Sequence, residues 1–247
     1  MAAFMTLLWY AQSRTRNAGI VDVAWAIGTG CLVGAYALTD HGGNETRANL
    51  LVLLGALWSG RLGLHLLRRV LAEAEDGRYR YMRDALGKNV QLAMFGFFQI
   101  QAVWALLFAL PFWAGMRSTQ TLGWLDAGAL ALWAVAFLGE AVADNQLKRF
   151  REDPSNRGQV CAVGMWRYSR HPNYFFEWLH WWAYLLFAVG SDWWWVAALG
   201  VGLMYVFLTK ITGVPHTEAQ SIRSRGDHYR RYQETTSVFF PMRPKSK

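Results

Sequence analysis

Charge and hydrophobicity are kept apart along this chain, and that separation restricts the fold more than any motif does. Seven stretches, 1–11, 19–38, 50–67, 94–113, 122–141, 174–190 and 193–208, are nearly free of charge, and most approach the roughly 20 residues an α-helix needs to cross a bilayer. A soluble domain would interleave its charges at helical or strand period instead. The pattern predicts an all-α fold: a polytopic transmembrane bundle of six or seven helices, one domain over 1–247 with no internal repeat. The count turns on 1–11, which is short for a span. Arg14 and Arg16 directly after it argue against cleavage as a signal and for a shortened first helix.

Orientation follows from the cations. Arg14 and Arg16, the segments 68–88 and 148–170, and the tail 210–247 are rich in Lys and Arg, whereas the loops around Asp40, Arg117 and Asp192 are nearly free of them. Basic loops are retained on the cytoplasmic side, which puts the C-terminal helix there and makes Gly190-Ser191-Asp192 with the following three tryptophans a tight outer hairpin at headgroup level. The tail beyond Thr217 suits a polar helix outside the lipid. The 25 Lys+Arg against 17 Asp+Glu, a net charge of +8, point to anionic headgroups and an anionic cofactor. Nucleic acid is not the expected partner, because no basic patch with interleaved aromatics stands apart from the spans. Cys31 and Cys161 alone build neither a disulfide framework nor a cysteine zinc site, and no metal is expected.

Ionisable groups inside a span are costly and therefore mark function. Asp22, Arg61, His65, Glu140, Glu177 and His180 fall at a similar depth near the cytoplasmic ends of their spans, which predicts a water-accessible cavity open to that side, with mutual pairing such as Asp22 to Arg61 as the structural alternative. Glu140, Asp144, Lys148 and Arg151 recur on one face of a span that continues as a polar helix. Next comes Arg167-Tyr168-Ser169-Arg170-His171-Pro172-Asn173-Tyr174, crowding cations before a helix that Asn173 is placed to cap. Arginine suits phosphate there because its planar fork binds two oxygens at once. No G-x-G-x-x-G follows a strand, Gly28-Thr29-Gly30 lies within a span, and neither H-E-x-x-H nor a nucleophile elbow occurs. His41, His65 and His228 stand isolated and read as structural or exposed.

The run from Gly164 through Arg170-His171-Pro172-Asn173-Tyr174 to Glu177 resembles the C-terminal signature of the steroid 5-alpha-reductases and sterol reductases, and Arg225-Gly226-Asp227-His228-Tyr229-Arg230-Arg231-Tyr232 with Phe240-Pro241 resembles their second signature. Asp22-Val23-Ala24-Trp25 and Asp76-Gly77-Arg78-Tyr79-Arg80-Tyr81 are similar to a bacterial branch grouped with them. The resemblance implies an inner-membrane enzyme that reduces a carbon-carbon double bond in a lipid or steroid-like substrate with NADPH. Residues 140–241 would be its cofactor half and 1–115 its lipid-substrate half. It carries the cofactor role to Asp144, Arg151, Arg167, Arg170, His171, Asn173, Glu177, Glu218, Arg225, Tyr229 and Tyr232. The Arg-His-Pro-x-Tyr turn is also similar to that of isoprenylcysteine carboxyl methyltransferases, which implies S-adenosylmethionine as the alternative cofactor. A non-enzymatic lipid-binding protein is the third reading.

A reductase needs a proton donor that faces the substrate in a low-dielectric site. Asp22, Tyr79, Tyr81 and Glu177 are all open for that role; Asp22 with Tyr81 is the catalytic assignment, since Asp22 is the acid nearest the membrane interior in the N-terminal half.

Overall fold

The computed structural model describes residues 1–39, 42–72 and 74–245; Asp40, His41, Glu73, Ser246 and Lys247 lie outside the described residues. The elements are α1 (Ala2–Thr15), α2 (Ile20–Ala37), α3 (Glu45–Ala72), α4 (Gly77–Leu86), α5 (Val90–Met116), α6 (Trp124–Glu152), α7 (Pro172–Ala188), α8 (Trp194–Val206), α9 (Gly213–Arg225) and α10 (Asp227–Thr235). Three short 3₁₀ turns and one π-helical segment, Phe207–Ile211, join them, and no strand occurs among the described residues. Five helical stretches, Ile20–Ala37, Glu45–Ala72, Gly77–Met116, Trp124–Glu152 and Trp194–Arg225, are long and apolar enough to cross a membrane. The other two expected spans are shorter helices: α1 has 14 residues and α7 has 17.

Close contacts divide the chain into two compact units: Met1–Thr121 with Ala188–Ala197, and Leu122–Phe187 with Ala198–Lys247. In the first, α2 packs on α3 and α5, and α1 lies along α5. Glycine permits the close approach of α2 to α3. A Cβ on Gly30 would sit 2.1 Å from the Ser59 hydroxyl, and one on Gly63 would meet Ile27 at 2.4 Å. Small residues at such crossings let helix backbones approach within van der Waals contact. Gly30 is therefore a packing residue. Met5, Val21, Ala24, Tyr79, Met94 and Phe98 form a buried core where α1, α2, α4 and α5 meet. At the hairpin, Gly190 adopts φ 88, while the Trp193 indole packs edge-on against Trp113 at 5.2 Å.

In the second unit α6 runs unbroken from its apolar half into the polar stripe, as its sequence predicts. Against it α7 is held close at one point, where a Cβ on Gly139 would lie 2.5 Å from the Phe176 ring. The tail is two helices instead of one, because Gly226 adopts φ 52 between α9 and α10. Beyond α10, Phe239 and Phe240 join Phe175, Trp178 and Tyr205 in an aromatic cluster with ring centroids 5.4 to 6.2 Å apart. Such pairs, edge-to-face except for the stacked Tyr205 and Phe240, add about 0.5–1.5 kcal/mol each beyond area burial.

Candidate functional site

Two polar assemblies meet at the start of α7. The first holds the tail in place. Arg170 Nε donates to Glu218 Oε1 at 2.6 Å, and its Nη1 donates to the carbonyls of Gln233 (3.0 Å) and Thr236 (2.7 Å). Glu218 also receives Gln233 Nε2 at 2.8 Å and lies 3.3 Å from His171 Nε2 and 3.5 Å from the Tyr229 hydroxyl. The Tyr232 hydroxyl donates to the Trp166 carbonyl and lies 3.3 Å from that of Ser169. Two backbone bonds complete the clamp, Arg170 N to Ser237 O at 2.8 Å and Met242 N to Tyr168 O at 2.9 Å. Arg170 thus satisfies carbonyls that the C-terminus of α10 leaves open, a role cations at helix ends commonly take. Burial pushes the Tyr229 and Tyr232 hydroxyls well up from their ordinary value, so both stay protonated. His171 is also buried, and desolvation lowers its pKa from 6.5 although Glu218 opposes the shift. It stacks on the Tyr174 ring at 5.3 Å with an interplanar angle of 2°.

The second assembly lies on the facing sides of α6 and α7. Pro172 takes the first helical position, so Asn173 sits inside the first turn and does not cap the helix. Its Nδ2 reaches across to Asp144 Oδ1 at 3.1 Å, whereas its Oδ1 is buried and has no hydrogen-bond partner. Exchanging the amide atoms would set oxygen against oxygen, so Asp144 fixes which way the amide points. One turn further, the buried Glu177 accepts the Trp181 indole N–H at 3.2 Å and stands 3.9 Å from His180 Nδ1. Glu140 on α6 is buried as well. The remaining predicted cations are nearer the surface: Arg151 and Arg167 are exposed, and Arg225 Nε donates to the Gln159 carbonyl at 2.8 Å.

The first unit gathers its own cluster. Asp22 accepts from the Tyr79 hydroxyl at 2.8 Å and from Arg78 at 3.1 Å. Arg78 also holds Asp76, which Arg69 binds from the other side. Burial favours a protonated Asp76, but the two guanidinium groups and the Arg78 backbone N–H outweigh it and keep the carboxyl below its ordinary value. Of the two tyrosines open for the proton-donor role, Tyr79 and not Tyr81 meets Asp22. Tyr79 is 1% exposed and Tyr81 75% exposed. Two residues along a helix turn the side chain by about 200°, so only one of the pair can face Asp22. Asp22, Arg61 and His65 belong to this unit and Glu140, Glu177 and His180 to the other; His65 is exposed. Among the described residues no three His, Cys, Asp or Glu side chains converge as a metal site.

Helices of membrane length, with buried carboxylates and arginines clustered at their ends, define a polytopic helical membrane protein. The chain belongs to the family described as Protein of unknown function (DUF1295), whose model matches residues 8–236. It is 28% identical over 267 residues to an uncharacterized protein of Schizosaccharomyces pombe, an alignment that covers 95% of this chain and 76% of the yeast protein. No solved structure matches it.

Proposed function

We propose that the protein is an NADPH-dependent reductase of a carbon-carbon double bond in a membrane-soluble lipid or steroid-like substrate. The observation that carries this reading is the buried Asn173 Oδ1, an acceptor held in a fixed direction by Asp144 and left without a donor of its own. A buried polar atom without a partner costs about 1–3 kcal/mol, and a nucleotide amide or hydroxyl would supply the missing donor. The resemblance of the Asn173 to Glu177 stretch to the reductase signature supports the same choice.

The residues present fit such a group. Asp144, Asn173 and Glu177 would hold its nicotinamide-ribose end, and the outward cations Arg151, Arg167 and Arg225 its phosphates. When bound, the nucleotide supplies a hydride to the electrophilic carbon of the double bond. Arg170, His171, Glu218, Tyr229 and Tyr232 position that face by fastening the tail, since their polar atoms already bind one another and the backbone.

The test is mass spectrometry and binding on the full chain purified in detergent. NADPH should bind in preference to NADH, and Asn173→Ala should weaken it at least tenfold while the melting temperature moves little, because the lost hydrogen bond to the Asp144 carboxylate, about 1.5–3 kcal/mol, is offset by removal of the buried unpaired Oδ1, about 1–3 kcal/mol. Retention of S-adenosylmethionine in place of NADPH, or unchanged NADPH affinity in Asn173→Ala, would overturn the reading.

A further inference from the structure

One end of the first unit presents cations whose acidic neighbours are already engaged. At that end α1 stops, α2 begins, and α3 gives way through α4 to α5. The Asn17 side chain donates to the Val70 carbonyl, and the Ala18 N–H donates to Glu75, which ties these junctions into one surface. Here Asp22 and Asp76 are bound by Arg78 and Arg69, and Glu75 receives both Arg83 Nε (2.8 Å) and Arg83 Nη2 (2.9 Å). These inward pairs cancel, which leaves Arg14, Arg16, Arg68, Arg80 and Lys88 exposed, with Asp84 the exposed acid among the described residues of these junctions.

The same rim carries an aromatic side chain that the reductase reading does not use. On α4, Tyr79 and Met82 turn inward to the core, which directs Arg80 and Tyr81 outward. The Arg80 side chain is exposed and donates to the Glu75 carbonyl at 2.8 Å. A tyrosine with an apolar ring and a polar tip, set among arginines where two spans begin and end, has the chemistry of the headgroup layer.

We propose that this rim binds the headgroups of anionic phospholipids in the leaflet it touches, with Tyr81 as an interfacial anchor. The occupant follows from charge and place: α4 is fastened between two helices of membrane length, so the phosphates nearest its cations are those of the bilayer itself. Each exposed cation near such a surface strengthens binding about fivefold. The proposal is independent of any nucleotide.

Native mass spectrometry of the delipidated full chain, titrated with phosphatidylglycerol or phosphatidylcholine, tests it. Wild type should take up phosphatidylglycerol in preference, with an affinity that falls as salt is raised. The triple variant Arg68→Gln, Arg80→Gln, Lys88→Gln should lose most of that preference while keeping its melting temperature in phosphatidylcholine. Should the triple variant fail to fold, Lys88→Gln alone is expected to weaken phosphatidylglycerol about fivefold. A double variant of tail cations, Arg223→Gln with Arg231→Gln, should retain wild-type binding. Equal affinity for the two lipids, unchanged phosphatidylglycerol binding in the rim variants, or an equal loss in the tail variant would each overturn the proposal.

Discussion

Arg170 and Asn173 are three residues apart, and both were expected to hold a cofactor, yet their surroundings differ in kind. Arg170 is enclosed by a carboxylate and two carbonyls, all contributed by the tail. Asn173 has a single partner and a buried oxygen that nothing fills. A side chain whose Nε and Nη1 are both taken up inside the fold serves stability first. One with an unused acceptor in a dry place is destabilised until a ligand arrives. A different contrast separates two tyrosines of the first unit: Tyr79 is buried and bound to Asp22, whereas Tyr81 is exposed.

The largest effect expected from this contrast is at Arg170. Arg170→Met should cost about 3–5 kcal/mol, because it leaves Glu218 without its closest cation and reopens the carbonyls of α10. The melting temperature should fall sharply and the tail should become protease-sensitive; a variant that melts like wild type and loses only nucleotide would return Arg170 to the ligand. Smaller but specific is Tyr79→Phe, which removes a hydrogen bond to an acid and is expected to cost about 1.5–3 kcal/mol. Tyr81→Phe should stay within about 0.5 kcal/mol in the same denaturation assay. Equal effects at the two tyrosines would erase the distinction drawn from their exposure.

The third expectation concerns pH. His171 has a folded pKa below its ordinary 6.5 because burial disfavours the imidazolium. The unfolded chain therefore takes up the proton first, and the stability that neutral His171 contributes is complete above pH 6.5 and is lost as pH falls from there through the folded value. Melting temperature should decline over that window in wild type and decline less in His171→Gln. A parallel decline in both would assign the titration to another group.

Much of the architecture was legible because segregation of charge is a property of composition along the chain, and it survives folding unchanged. Span number was less so. The 17 residues of α7 and 14 of α1 are helices whose ends depend on local turns, such as Pro172 starting α7, that hydropathy does not register. In the site, the pairing of Asn173 with Asp144 lay beyond the sequence because it joins residues on different helices. That Tyr79 and Tyr81 face opposite ways is already set by the helical period. For Arg170 the sequence pattern does not register the tail: a cluster of cations looks the same whether it faces phosphate or receives carbonyl oxygens from residues 233–237.

That clamp also sets a schedule for biogenesis. The carbonyls that Arg170 needs are translated long after it, and at about 5–20 residues per second the ribosome takes several seconds to reach them. During that interval α6 and α7 can already enter the bilayer while the guanidinium of Arg170 has only water or lipid phosphate for company. The second unit therefore matures from its C-terminal end backwards, and a nascent chain stalled before Thr236 would present the insertion machinery with helices in place and an unfinished clamp.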